Sequence, residues 1–136
     1  MADLQITTQK LQEDTVIIHL KGTVLNVDNY YELHRIINEF LDYRVYKLIV
    51  DLSELAYMTS MGAGIFISGG LVAQERKGAL VLVNPQPKVK ALLDLIGITE
   101  VCRLVNDLDD AYEILGVSQK QSRKAGRKSK GGEKTR

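Results

Sequence analysis

Residues 48–66 read "LIVDLSELAYMTSMGAGIF". The run "YKLIVDLS" (46–53) is apolar almost throughout, as a central strand covered on both faces requires. Shortly after it, Thr59 or Ser60 suits a helix N-cap, where a hydroxyl satisfies a backbone N–H left without a partner. From there "SMGAGIFISGGLVAQERKG" runs as a helix to Gly78, with Arg76 and Lys77 near its negative end.

Outward from this stretch the pattern continues. Upstream, "LQITTQKL" (4–11) and "DTVIIHLKG" (14–22) carry β-branched residues in period-two alternation and form a hairpin turned at "QED". "VDNYYELHRIINEFLDY" (27–43) places Tyr30, Leu33, Ile37, Phe40 and Leu41 at helical spacing, with Asn26 or Asp28 to cap it. Downstream, "ALVLVN" is a strand, and "PQPKVKALLDLIG" is a helix that opens on proline and ends at Gly97. "VCRLV" is a last strand, and "DLDDAYEILG" a last helix whose Asp107, Asp109 and Asp110 suit its positive end. The order ββαβαβαβα predicts an α/β fold: a mixed β-sheet of about five strands with four helices packed on it.

The 136 residues fit one domain with a short appendage, and 45% hydrophobic with 26% charged is the balance of an ordinary globular protein. The single cysteine, Cys102, makes no internal disulfide, and "MADLQITTQK" lacks a secretory apolar region, so a cytoplasmic location is expected. Net charge is +1, but residues 117–136 hold eight Lys/Arg against one Glu while 1–116 hold ten against sixteen Asp/Glu. The chain therefore reads as an acidic domain over 1–116 and a basic tail over 117–136. The tail has too few apolar residues to order itself and is predicted disordered, its charge either solvated or available to a polyanion. Leu55 to Gln74 carries no charge and is as long as a membrane span. Its Thr59, Ser60, Ser68, Gln74 and four glycines make it a buried helix instead, and no membrane insertion is expected.

Few chemistries fit these residues. His19, His34 and Cys102 lack companions at metal-ligand spacing, and no hydroxyl has a recognisable base, so neither metal nor enzymatic activity is expected. A dinucleotide fingerprint would use Gly62 and Gly64 but meets Ile67 at its third glycine. A P-loop would use Gly64 and Gly69 but meets Gly70 and Leu71 where Lys and Ser/Thr belong, so no cofactor is expected. What remains is a hydroxyl at a helix N-terminus. Free N–H groups and the positive dipole end would stabilise a phosphate on Ser60. A phosphate adds roughly −1.5 to −2 charge and would repel a partner packed there. The plainer reading is that Ser60 or Thr59 only caps the helix, worth about 1 kcal/mol. Gly69 and Gly70 either admit a close neighbour or kink the helix, at about 1 kcal/mol each relative to Ala.

Taken together, "KGTVLNVDNYYEL", "LIVDLSELAYMTSMGAGIF" and "NPQPKVKALLDLIGITEVCRLVNDLDDAYEIL" resemble the STAS family, named for sulfate transporters and anti-sigma factor antagonists. The resemblance runs from Asp3 to about Leu115 and implies a STAS-like fold. Among family members acting as anti-sigma factor antagonists the motif is roughly DLSxxxxxDSxG, and its second serine, matched by Ser60, is phosphorylated. Thr59 stands where the Asp usually does, and Met61 where a small residue is common, which makes Thr59 an alternative acceptor. Asp51, Ser53, Thr59, Ser60, Met61 and Gly62 are then the implied partner-binding surface; strand-end capping explains Asp51 and Ser53 equally well. The implied partners are an anti-sigma factor with the histidine-kinase-like ATPase fold, which is the serine kinase, and a PP2C-type phosphatase. The unphosphorylated form would sequester the anti-sigma factor and release a sigma factor. The alternative is a STAS scaffold in a lipid-transport or signalling complex without phospho-switching.

Overall fold

A computed structural model describes residues 3–117. Five strands, β1 (Gln5–Gln12), β2 (Thr15–Val24), β3 (Lys47–Met58), β4 (Ala79–Val83) and β5 (Arg103–Val105), form one sheet in the order β1-β2-β3-β4-β5. The first pair is antiparallel and the rest are parallel, giving the expected mixed sheet. Helices α1 (Val27–Asp42), α2 (Ser60–Glu75), α3 (Pro87–Leu95) and α4 (Leu108–Leu115) connect and follow the strands.

Both faces of the sheet are covered, which explains the unbroken apolar runs of β3 and β4. On one face Val16, Ile18, Leu48, Val50, Leu80 and Leu82 meet Leu33 and Ile37 of α1, Phe66 of α2 and Leu93 of α3. On the other, Ile17, Ile49, Val81 and Val83 meet Ala111, Tyr112 and Leu115 of α4. The alternation of strand side chains sorts adjacent residues into these two cores.

β3 is longer than its apolar run. The reading that ends it at Ser53 is corrected: it pairs with β4 only over Lys47–Asp51 but stays with β2 as far as Met58. Two register shifts against β2 break the period of two, so that Leu52, Leu55 and Met58 are buried at intervals of three. Past Asp51, where β4 no longer reaches, the Gln86 side chain donates to the Ser53 carbonyl at 2.9 Å.

The boundaries of the later elements also shift. α3 starts at Pro87 and stops at Leu95; Gly97, in a left-handed conformation, opens a 3₁₀ turn over Ile98–Glu100. β5 begins only at Arg103. Asp107 caps α4 by accepting from the Asp110 N–H at 2.9 Å, and left-handed Gly116 ends it. The N–H of Val117 then reaches the Tyr112 carbonyl at 2.8 Å, and its side chain is buried in the second core. Val117 thus belongs to the domain rather than to the tail, and the rest of the basic segment lies outside the described residues. No helix among the described residues is long and apolar enough to cross a membrane.

The two mid-helix glycines of α2 are points of close approach. A Cβ on Gly69 would lie 3.2 Å from Leu80 and 3.3 Å from Ile37, and one on Gly70 only 2.7 Å from the Cys102 sulfur and 2.8 Å from the Val101 carbonyl oxygen. They let α2 sit down onto β4, α1 and the segment before β5. The neighbouring Cys102 donates to the Phe66 carbonyl at 3.2 Å, and burial pushes its pKa up to about 12.

Candidate functional site at the start of helix α2

The extension of β2 and β3 beyond β4 carries the start of α2 to the carboxyl edge of the sheet. Thr23 pairs with Tyr57 and Val24 with Met58, and the Thr59 N–H donates to the Val24 carbonyl at 3.0 Å. The first turn of α2 therefore stands beside the loop Leu25–Asn26 that leads into α1.

The two hydroxyls there have different surroundings. Thr59 is the N-cap: its backbone is extended, and Oγ1 accepts from the Gly62 N–H at 3.1 Å. Ser60 is the first helical residue and is exposed, with no side-chain hydrogen bond among the described residues. The first turn carries no acidic side chain, so nothing in it opposes a negative charge at the positive helix end. Gly62 has a packing reason, because a Cβ there would lie 2.8 Å from Val24, a stiff buried side chain.

Beside this turn, the loop after β2 is held from within. Buried Asn29 accepts from the Leu25 N–H at 3.1 Å and donates to the Asp3 carboxylate at 2.8 Å. Asn29 and Asn26 also bond reciprocally as a capping box at the head of α1, so Asn26 rather than Asp28 is the cap. The hydrogen bonds from Asn29 and from the Leu4 N–H hold the Asp3 carboxyl below its usual range. This frame presents Leu25 and Val27 to solvent next to Ser60 and Met61. Neither was singled out in the sequence; the only signal was two apolar residues bracketing the cap in "LNV".

Of the expected surface, Thr59, Ser60, Met61 and Gly62 come together, and Asp51 and Ser53 stand apart. Asp51 does not end β3; it lies mid-strand, where β4 leaves, eight positions before Thr59. At about 3.3 Å per residue the separation is roughly 20–25 Å after the bulges are allowed for. Its carboxylate binds His19 Nδ1 at 2.8 Å and accepts from the Ser53 N–H at 3.0 Å and the Ser53 hydroxyl at 2.8 Å. Burial works to raise the Asp51 pKa, but the hydrogen bonds from His19 and Ser53 outweigh it and hold the carboxyl low. His34, by contrast, stacks on Tyr30 and bonds Asn38. Among the described residues no group of three His, Cys, Asp or Glu is placed to hold a metal ion.

The STAS domain family matches residues 6–111, most of the chain. The chain belongs to the STAS family. Among curated relatives, the anti-sigma-B factor antagonist of Listeria monocytogenes is 29% identical over 59 residues, 43% of this chain and 52% of that protein. The matched region thus spans about half the length of that relative. Two solved structures of the anti-sigma factor antagonist SpoIIAA share the fold. The unphosphorylated form superposes with a TM-score of 0.72 at 18% identity, covering 85% of this chain and 100% of that one. The phosphorylated form, from Bacillus, gives 0.65 at 16% identity, covering 81% and 99%. The mixed sheet with four helices is thus the STAS fold.

Proposed function

We propose that this STAS domain is a binding protein, an anti-sigma factor antagonist, switched by phosphorylation of Ser60. Unmodified, it sequesters an anti-sigma factor of the histidine-kinase-like ATPase fold and so frees a sigma factor. That partner transfers phosphate from its own ATP to Ser60, and a PP2C-type phosphatase removes it. The observation that carries this reading is the division of labour between the hydroxyls: Thr59 Oγ1 holds the Gly62 N–H, while Ser60 is exposed at the first helical position. Attack on a phosphate donor needs an accessible oxygen, and Ser60 has it. The names of the relatives support the partner class, and SpoIIAA is known in phosphorylated and unphosphorylated forms.

The geometry supports a mechanism for release. A phosphate on Ser60 gains the dipole and free N–H groups of α2, so the modified domain stays folded. The same dianion sits among exposed Leu25, Val27 and Met61, where an apolar partner would have to desolvate it. Fragment-ion mass spectrometry of protein from its native cells, grown under two stress conditions with phosphatase inhibited, is expected to show phosphate at Ser60 that varies with condition. Ser60→Ala should retain the anti-sigma factor and Ser60→Asp release it. Equal retention by both variants, with an unmodified site throughout, would instead favour the scaffold reading.

A further inference from the structure

Four glycines lie within α2, and three have neighbours that demand them: Gly62 meets Val24, Gly69 meets Leu80 and Ile37, and Gly70 meets Cys102 and Val101. Gly64 has none. A Cβ there would find nothing within 4 Å, and its backbone is ordinary right-handed helix. A glycine at such a position costs about 1 kcal/mol against alanine without any return inside the domain. Its surroundings on the helix show where a return would come from. Met61, Gly64, Ser68 and Leu71 follow one another at spacings of three, four and three, one ridge of the helix surface about 15 Å long. Its ends are large and apolar, Met61 at 66% exposure and Leu71 at 44%, and its middle is small. Val27, at 63%, extends it past Ser60 onto the neighbouring loop.

We propose that the partner bound at Ser60 lays an apolar helix along this outer face of α2, with its backbone closest at Gly64. The inference rests on the Ser60 reading and names the chemistry of the partner element. A helix is the occupant because the depression is straight, follows a side-chain ridge, and is floored by residues small enough to bring two axes within the 8–10 Å of packed helices. The occupant is apolar because Leu55 to Gln74 offers no charge for a polar partner to pair with. The face is continuous with Ser60, so one helix covers both the switch and the ridge, and phosphate at one end lifts the whole element.

The test is calorimetric titration of the full chain with the purified anti-sigma factor that Ser60→Ala retains. Gly64→Ala should raise the unfolding temperature and yet weaken binding about tenfold; Gly64→Leu should keep the fold and weaken it about a hundredfold. Gly64→Leu binding within about threefold of the unaltered protein, while Ser60→Asp still releases the partner, would overturn this inference and leave the switch standing. Loss of binding in both Gly64 variants with no effect of Ser60→Asp would keep the docking face and remove the switch. A Ser60→Ala protein that retains no anti-sigma factor would overturn both. Sedimentation of the full chain alone, showing a dimer that Gly64→Leu abolishes, would mean that a second copy occupies the face and would likewise overturn the inference.

Discussion

Thr59 and Ser60 are adjacent hydroxyls with separable duties, and stability measurements distinguish them. Thr59→Ala removes the side chain that holds the Gly62 N–H and should cost about 1 kcal/mol, a fall of roughly 4 °C in Tm. Thr59→Ser should restore most of it. Ser60→Ala removes no hydrogen bond and should stay within about 0.5 kcal/mol of the unaltered protein in urea unfolding. Asp51 gives a second residue-scale expectation, in pH. Its carboxyl is held below the ordinary value of 3.8 in the folded state, so the unfolded chain takes up the proton first as the pH falls. The stabilisation from its bonds to His19 and Ser53 is complete above that value and is lost as the pH falls through the lowered one. Asp51→Asn should be the less stable protein at pH 7, with the difference shrinking below about pH 4 in acid unfolding monitored by circular dichroism. That Thr59, not Ser60, is the cap was open in the sequence, because either hydroxyl one residue apart fits the pattern; the backbone angles at Thr59 decide it.

At the scale of elements, α2 is defined by how closely it lies on its neighbours. Gly70→Ala adds a methyl group within 3 Å of both the Cys102 sulfur and the Val101 carbonyl oxygen. It should therefore destabilise by about 1–3 kcal/mol, although alanine is the better helix former, and differential unfolding will read it. The opposite sign expected for Gly64→Ala, on the same helix, makes the pair a direct comparison of packing with propensity. Cys102, buried against Phe66 and with its thiol pushed up to about 12, should react with maleimide at pH 8 only once the chain is unfolded. The helix itself was legible, since its cap and length follow from "TSMGAGIFISGG"; the role of each glycine was not, because it depends on atoms contributed by β2, α1, β4 and the segment before β5.

For the whole molecule, the sheet closes at its last described residue. Val117 joins Leu11, Ile17 and Leu115 in the second core, so Val117→Ala should cost about 1.5 kcal/mol. Removing residues 118–136 should leave the unfolding midpoint unchanged, because none of the described contacts requires them. A truncation before Gly116 should lower it, since both the helix stop and Val117 are then lost. These two truncations, compared by thermal unfolding, place the end of the domain.

The order of strands and helices was readable because each element carries its own period and its own stop: apolar runs in the inner strands, helical spacing in α1, proline at the head of α3, glycine at the end of α4. Those signals are local, and the sequence by itself determined the α/β class, the element order and a hydroxyl at the start of α2. The length of β3 was not readable, because two bulges break its alternation and only pairing with β2 keeps it a strand to Met58. That extension decides the site. It separates Asp51 and Ser53 from Ser60 and brings Leu25 and Val27, distant in sequence, alongside it. Strand register and the approach of one backbone to another depend on partners far along the chain, so only the tertiary structure could set them.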